Sequence, residues 1–316
     1  MTKKYKCDYM DSGINFERNG IYVCCKTAHK GKGWLLLSDS YENLDWDKIF
    51  ELKKNWQKQI ASGNPPEKCI GCSEIVETDE LVEDMSLYYV DVNSFCTCNS
   101  KCLYCDCWHF DSFKETSLYP AFLKLFEKKL LKHDKYGYIQ FAGGEPALMI
   151  DFEKIVDLCI QNGIERYIVN SNGIKYSKGI EKLLINTKTN LCVSLDSGCA
   201  ETYEKIKNVP CFDKVINNLK KYINTQNKDK SCIWSKYIII PGVNDNEEEL
   251  KKWFNLSLNI GIRSIALDIE REWFKNHNRQ ILPEHENMIN IIQIACRENN
   301  IKFEFYESLK CFYGIR

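Results

Sequence analysis

No stretch of this sequence approaches the roughly 20 consecutive apolar residues that a membrane-spanning helix needs. The opening MTKKYKCDYMDSG lacks the apolar run of a secretory signal peptide. Charge of one sign is not in excess either: 43 Lys and Arg stand against 44 Asp and Glu. That balance gives no general electrostatic hold on nucleic acid. The Lys-rich NNLKKYINTQNKDK reads as a solvated helix end rather than a binding tail. The chain is therefore expected to be cytoplasmic, with neither a membrane nor a nucleic acid as partner. Its 316 residues allow one large domain and a small one.

Cysteine, by contrast, is abundant, with 17 residues. A disulfide scaffold would place so many in a small secreted chain. Seven of them (Cys159, Cys192, Cys199, Cys211, Cys232, Cys296 and Cys311) fall mostly within expected helices and strands, where cysteine serves as a small core residue. The rest form two dense groups. The stretch CNSKCLYC places thiols at Cys98, Cys102 and Cys105, directly after LYYVDVNSF, which reads as a buried strand. Three thiolates select a soft metal. They can hold a [4Fe-4S] cube with one iron left open to a small chelating ligand. Structural zinc is the alternative, with Cys96, Cys107 or His109 as a fourth ligand.

From Leu87 onward strands and helices alternate. The strands are LYYVDV, YGYIQFA, ERYIVN, LCVSLD, CIWSKYIII and RSIALDI, with helices beginning near Ser112, Asp151, Lys178, Ala200, Asn246 and Glu284. This alternation predicts an α/β fold with a parallel sheet, either a partial (β/α)6 barrel or a doubly wound sheet. Both gather ligands beyond the carboxyl ends of the strands. Polar signals fall at those ends. FAGGEPAL lets the backbone approach a ligand at Gly143 and Gly144, and Glu145 follows. VNSNG offers Ser171 and Asn172. In SLDS, Ser194 and Asp196 share a face by strict alternation. Lys236 precedes the PGVND turn at Pro241. Asp268 and Glu270 stand two apart at the end of RSIALDIE, and with Asp196 they are the candidate catalytic carboxylates. The tail IKFEFYES is expected to cover an open sheet edge.

The first 86 residues hold the second thiol group. INFERNGIYVCCK reads as a hairpin turning at Asn19-Gly20, and DWDKIFELKKNWQKQIASG as an amphipathic helix capped by Asp45 and ended by Gly63. PPEKCIGC follows. Cys7, Cys25, Cys69 and Cys72 would make a four-thiolate site closed to outside ligands, with Cys24 competing for the place of Cys25. It would hold a cluster or, alternatively, zinc.

CNSKCLYC, with Tyr104 before its last cysteine, together with GGEP, resembles the signature of the radical S-adenosylmethionine (radical SAM) superfamily. That resemblance implies a cube on Cys98, Cys102 and Cys105, chelated by S-adenosylmethionine (SAM). Reductive cleavage of SAM then yields a 5′-deoxyadenosyl radical that abstracts hydrogen. It also implies that Tyr104, Gly143, Gly144, Glu145, Ser171, Asn172, Ser194, Lys236 and Pro241 line the SAM site, with Glu145 on the methionyl amino group. Cys7, Gly20 and Cys25, spaced by twelve and then four residues, resemble the twitch half of SPASM/twitch modules. Such a module carries an auxiliary [4Fe-4S] cluster suited to electron transfer. The expected organisation is a twitch-like module over residues 1–86, a radical SAM partial barrel over 87–272, and a helix and strand covering the barrel edge over 273–316. The expected reaction is hydrogen abstraction from a small polar, carbohydrate-like substrate, in a net oxidation driven with a flavodoxin or ferredoxin reductant. A peptide-modifying enzyme is one alternative and a non-catalytic zinc protein another.

Overall fold

A computed structural model describes residues 4–24, 35–41, 44–79, 86–93, 97–105, 115–132 and 137–315. The chain divides into two compact units. One comprises Met1–Cys96, Ser112–Gly144 and Met149–Tyr167, and the other Thr97–Asp111, Glu145–Leu148 and Ile168–Arg316.

The first unit runs through β1 (Lys4–Lys6), α1 (Asp8–Ser12), β2 (Gly13–Glu17), β3 (Gly20–Tyr22), β4 (Leu36–Ser38), α2 (Trp46–Ala61), β5 (Val76–Thr78), β6 (Tyr89–Asn93), α3 (Tyr119–Glu127), β7 (Tyr138–Phe141) and α4 (Phe152–Gln161). Its strands lie in the order β7-β6-β2-β3-β4, while β1 and β5 pair separately. β2 and β3 form the expected hairpin. Glu17 pairs with Gly20, so Arg18 and Asn19 make the turn, one residue earlier than the sequence suggests. β2 also runs parallel to β6, with Gly13 opposite Tyr89. The helix α2 begins as expected, with the Asp45 side chain accepting from Lys48 N at 3.1 Å. That contact satisfies one of the orphan donors at a helix start.

The second unit continues with β8 (Arg166–Ser171), α5 (Lys178–Asn186), β9 (Lys188–Ser194), α6 (Ala200–Lys207), α7 (Phe212–Thr225), β10 (Cys232–Ile239), α8 (Glu247–Asn259), β11 (Ser264–Ile269), α9 (Arg271–Asn276), α10 (Pro283–Glu298), β12 (Lys302–Phe305) and α11 (Glu307–Phe312). Its strand order is β12-β11-β10-β9-β8, and β9 through β12 are parallel. This is the α/β architecture expected, with a parallel sheet and crossover helices. All six strands read from the sequence are present, and the tail strand β12 stands last in the order.

Period-2 alternation gives the sheet two faces. On β10, Ser235 and Tyr237 meet α8: Trp253 Nε1 donates to Ser235 Oγ at 2.8 Å, and the Tyr237 and Trp253 rings lie 4.9 Å apart. Cys232, Trp234 and Lys236 take the other face.

One segment departs from the sequence reading. NNLKKYINTQNKDK is no solvated helix end, because α7 buries Val215, Ile216, Leu219, Tyr222 and Ile223 along one side. Its Asn218 donates to Gly173 O at 3.0 Å and Ile174 O at 3.1 Å, tying the turn after β8. Lysines on the opposite side of the helix mask that stripe in the raw sequence.

The turn after β9 is packed directly on α8. A Cβ added at Gly198 would lie 2.1 Å from Lys252 C and 2.2 Å from Trp253 N, atoms of helix backbone that cannot swing aside. We predict that Gly198→Ala destabilises the protein by about 1–3 kcal/mol, the range for forced overpacking. A lowered midpoint in thermal or denaturant unfolding checks this, and an unchanged midpoint would refute the close approach.

Candidate functional site

The cysteine loop leaves the end of β6 and is held at several points within the second unit. Lys101 N donates to Lys207 O and Leu103 N to Ile206 O, both at 3.0 Å, so the loop rests on the last turn of α6. Cys105 N donates to Cys102 O at 3.2 Å. The buried Ser100 hydroxyl sits between two sulfurs, 3.5 Å from Cys98 Sγ and 3.3 Å from Cys102 Sγ. Burial pushes the Cys98 thiol up, against the lowering influence of Ser100. Among the described residues, no group of three or more His, Cys, Asp or Glu side chains is gathered to hold a metal ion.

From Cys98 a chain of hydrogen bonds leads inward. Asn172 Nδ2 donates to Cys98 Sγ at 3.5 Å and to Asn99 Oδ1 at 2.7 Å. The Asn172 backbone N–H donates to Glu145 Oε2 at 2.7 Å. Glu145 Oε1 accepts from Ser171 Oγ at 2.8 Å and from Ala147 N at 3.1 Å, while Glu145 N donates to Thr97 O. The carboxylate is 1% exposed. Burial raises its pKa, against the three bonds that favour the charged form. The sequence reading placed Glu145 on a ligand; in the structure its carboxylate is taken up by the chain itself. Gly143, with φ 103°, and Gly144 are the more open part of that motif.

Asp196 is likewise not an exposed base. It is fully buried and ion-paired with the equally buried Lys207, and Tyr104 donates to its Oδ2 at 2.6 Å. Lys207 Nζ also reaches the Tyr104 hydroxyl at 2.6 Å and lies 5.0 Å from the ring centroid. Asp196 Oδ1 accepts from Ile238 N at 2.8 Å. The expected alternation of Ser194 and Asp196 fails because β9 ends at Ser194 and Asp196 turns to φ 58°. Asn244, in the PGVND turn, donates to Asp196 O and Ile238 O, both at 2.9 Å, and accepts from Ile240 N at 2.6 Å. Beside Pro241, Tyr104 and Val243 pack on Ile206, Ile238 and Ile240, an apolar surface at the strand end.

A polar face runs along β9, β10 and β11. Register sets Ser194 beside Lys236 and Lys236 beside Ala266. Lys236 Nζ stands 4.5 Å over the Tyr306 ring, and the Tyr306 hydroxyl donates to Asn170 Oδ1 at 3.3 Å. Asp268 lies on the same face, and burial pushes its carboxyl up to about 7 although Lys236 opposes this. Its Oδ1 accepts from Ser308 N and Leu309 N, at 2.9 and 3.1 Å, at the start of α11. Glu270 does not share that face: β11 stops at Ile269, and Glu270 caps α9 by accepting from Glu272 N and Trp273 N. Sequence reading missed Lys207, Ser100, Asn99, Asn244 and Tyr306. Ser100 and Asn99 lay inside the motif already singled out, and an Asn-Ser pair directly after its first cysteine was the available signal.

In the first unit Cys7, Cys24 and Cys69 are buried in one apolar cluster with Met10, Val23, Leu35 and Ile60. Burial pushes Cys7 up to about 12 and Cys69 to about 11, and Cys72 acts electrostatically on both. Cys7, Cys24 and Cys69 thus share one apolar cluster, with Cys72 acting electrostatically on two of them, while Cys25 lies outside the described residues.

A thiol-bearing loop and polar side chains at the ends of parallel strands define an α/β protein of the cofactor-binding class. Residues 92–254, more than half of the chain, match the Radical SAM superfamily, and the chain belongs to it. It is similar to a probable GTP 3′,8-cyclase of Saccharolobus islandicus, with 29% identity over 172 residues, 54% of this chain and 53% of that protein. It is also similar to a GTP 3′,8-cyclase of Pasteurella multocida, with 28% identity over 153 residues, 46% and 44% of the two chains. The chain spans about half the length of the curated relatives it matches. In fold it resembles Streptococcus suis SuiB bound to S-adenosylmethionine, with TM-score 0.53, 11% identity, and 84% of this chain and 57% of that one covered. SuiB bound to its precursor peptide SuiA gives TM-score 0.54 and 12% identity, over 98% and 74%. No helix among the described residues is long and apolar enough to cross a membrane.

Two predictions follow from the buried charges. Lys207→Met leaves Asp196 buried without its cation and is expected to cost about 3–5 kcal/mol. A double-mutant cycle with Asp196→Asn, read by unfolding midpoints, checks that the two losses are coupled. Asp268 binds its proton more tightly folded than unfolded. The stability it contributes is complete below about pH 4 and is lost as pH rises through about 7. The fall in unfolding midpoint between those limits should be smaller in Asp268→Asn, and an equal fall in both proteins would exclude the raised carboxyl.

Proposed function

We propose that this chain cleaves SAM reductively and abstracts a hydrogen atom from a small polar substrate. The observation that carries this reading is the hydrogen-bonded chain from Cys98 through Asn172 to the buried Glu145. Cys98, Cys102 and Cys105 hold a [4Fe-4S] cube. The Ser100 hydroxyl, 3.5 and 3.3 Å from two of the sulfurs, would hydrogen-bond the thiolates that hold it. When bound, the cluster and SAM together supply the 5′-deoxyadenosyl radical.

The chain's own residues then have distinct tasks. Glu145 fixes Ser171 and Asn172, and through Asn172 it orients the cysteine loop. The backbone at Gly143 and Gly144 approaches the methionyl end of SAM. Tyr104 and the Pro241 turn offer the apolar surface for adenine. Ser194, Lys236 and Asp268, with Asn170 and Tyr306 beside them, make the polar face for substrate and for the SAM carboxylate. Asp196 and Glu270 act as positioning groups. The similarity to enzymes named GTP 3′,8-cyclase and this cationic, hydroxyl-bearing face both favour a small polar substrate. A peptide substrate is the outcome that would redirect the reading.

Cys7, Cys69 and Cys72, with Cys24 or Cys25, hold an auxiliary [4Fe-4S] cluster in a twitch-like module of residues 1–86. The barrel takes 87–272, and 273–316 covers its edge. A closed four-thiolate cluster serves electron transfer in a net oxidation, with a flavodoxin or ferredoxin as reductant. Such thiolates persist in a reducing cytoplasm.

Anaerobic reconstitution with iron and sulfide tests both sites. Alanine at Cys98, Cys102 and Cys105 together should abolish 5′-deoxyadenosine formation, and continued SAM cleavage would refute the assignment. Alanine at Cys7, Cys24, Cys69 and Cys72 should remove about half of the iron per chain while some SAM cleavage by dithionite persists. Iron at the parent's level would show that these cysteines hold none.

A further inference from the structure

Lys53 sits on the core side of α2 with Trp46, Ile49 and Ile60, and like them it is buried, with 0% exposure. Lysine is almost never fully buried unless paired. Its ammonium donates to Gly13 O at 2.6 Å and to Tyr9 O at 3.3 Å, two neutral carbonyls at the two ends of α1. Among the described residues no carboxylate lies within ion-pair distance of it. Asp11, on α1, is the nearest acid in electrostatic terms. Its Oδ1 accepts from Gln57 Nε2 at 3.0 Å, Oδ2 has no partner, and burial raises its pKa.

An ammonium held in the core without a counter-ion costs several kcal/mol. The groups that act on Lys53 in its favour are Cys7 first, then Asp11, then Cys24. Cys7 lies immediately before α1, whose flanking carbonyls hold the ammonium, and Asp11 N donates to Cys7 O at 2.9 Å. As neutral thiols these cysteines repay little of the burial. As ligands of an anionic cluster they would supply the missing charge. Burial drives the Lys53 ammonium down to about 8 even against these groups, and an anion beside it would keep it charged.

We infer that Lys53 is the built-in counter-charge of an anionic cluster held by Cys7, Cys24, Cys69 and Cys72, and that it raises that cluster's reduction potential. The inference rests on the auxiliary-cluster reading above, and it selects Cys24 over Cys25 as the ligand. Reduction adds one electron to the cluster and moves no proton. The cluster becomes more negative, so a fixed cation nearby stabilises the reduced form more than the oxidised one. Lys53 is a positioning and charge-setting residue and touches no reacting atom.

The test is a dithionite titration of the reconstituted full-length protein, followed by electron paramagnetic resonance. SAM is added to distinguish the cluster it binds. In Lys53→Met, at the parent's midpoint potential, the reduced-to-oxidised ratio of the auxiliary cluster should fall about tenfold, equivalent to about 59 mV for one electron. Lys53→Arg should restore most of that ratio, and the SAM-binding cluster should not move. Full iron content with an unchanged ratio in Lys53→Met overturns the inference. Should Lys53→Met lose the auxiliary iron, retention by Lys53→Arg supports the counter-charge, while equal loss from both assigns Lys53 to packing and overturns it. Iron for only one cluster in the parent defeats the auxiliary-cluster reading itself. Cys24→Ser should release one cluster's iron and Cys25→Ser none, and the reverse result overturns the choice of Cys24.

Discussion

A single buried carboxylate organises the cofactor end of the second unit. Glu145 receives bonds from a helical-turn amide, from a strand-end hydroxyl and from the next backbone amide, all within its own chain. A carboxylate buried without such donors would be expensive. With them it becomes a rigid joint, because moving any one donor strands a charge in the core. Asn172 inherits that rigidity and carries it to Cys98 and Asn99 through its side-chain amide. A loop that must present thiols in fixed positions thus borrows its order from a strand end rather than from its own sequence.

Two further buried lysines show how differently one residue type is handled in this protein. Lys207 has a matching carboxylate in Asp196 and a phenol in Tyr104, so its charge is answered inside the second unit. Among the described residues, Lys53 meets only neutral carbonyls in ion-pair or hydrogen-bond range. The first arrangement is complete in the polypeptide alone. The second leaves the ammonium to two backbone carbonyls beside the apolar cluster that holds Cys7, Cys24 and Cys69.

Much of this was legible in the sequence where the signal is local. The six strands followed from apolar runs bounded by turns, α2 and α8 from Asp45 and Asn246 at their starts, and the thiol loop from spacing. The illegible part is interaction between distant positions. Tyr104, Asp196 and Lys207 carry no mutual pattern in the sequence, since their meeting depends on where α6 docks. Lys53 is camouflaged in KKNWQK, where helical period alone assigns it inward but residue type argues outward. Asp268 and Glu270 looked equivalent at a spacing of two, yet the strand ended between them and gave each to a different helix start.

The parallel pairing of β2 with β6 joins residues more than seventy positions apart. The hairpin of β2 and β3 can close as soon as it leaves the ribosome, because its partners are neighbours in the chain. Its other edge must wait until β6 is synthesised, and parallel, non-local pairing of this kind is slow and leaves a strand exposed meanwhile. The thiols of Cys7 and Cys24 pack with Ile60 and Cys69, which lie later in the chain. Until those residues have been made, the two thiols have no core to enter and stay open to oxidation.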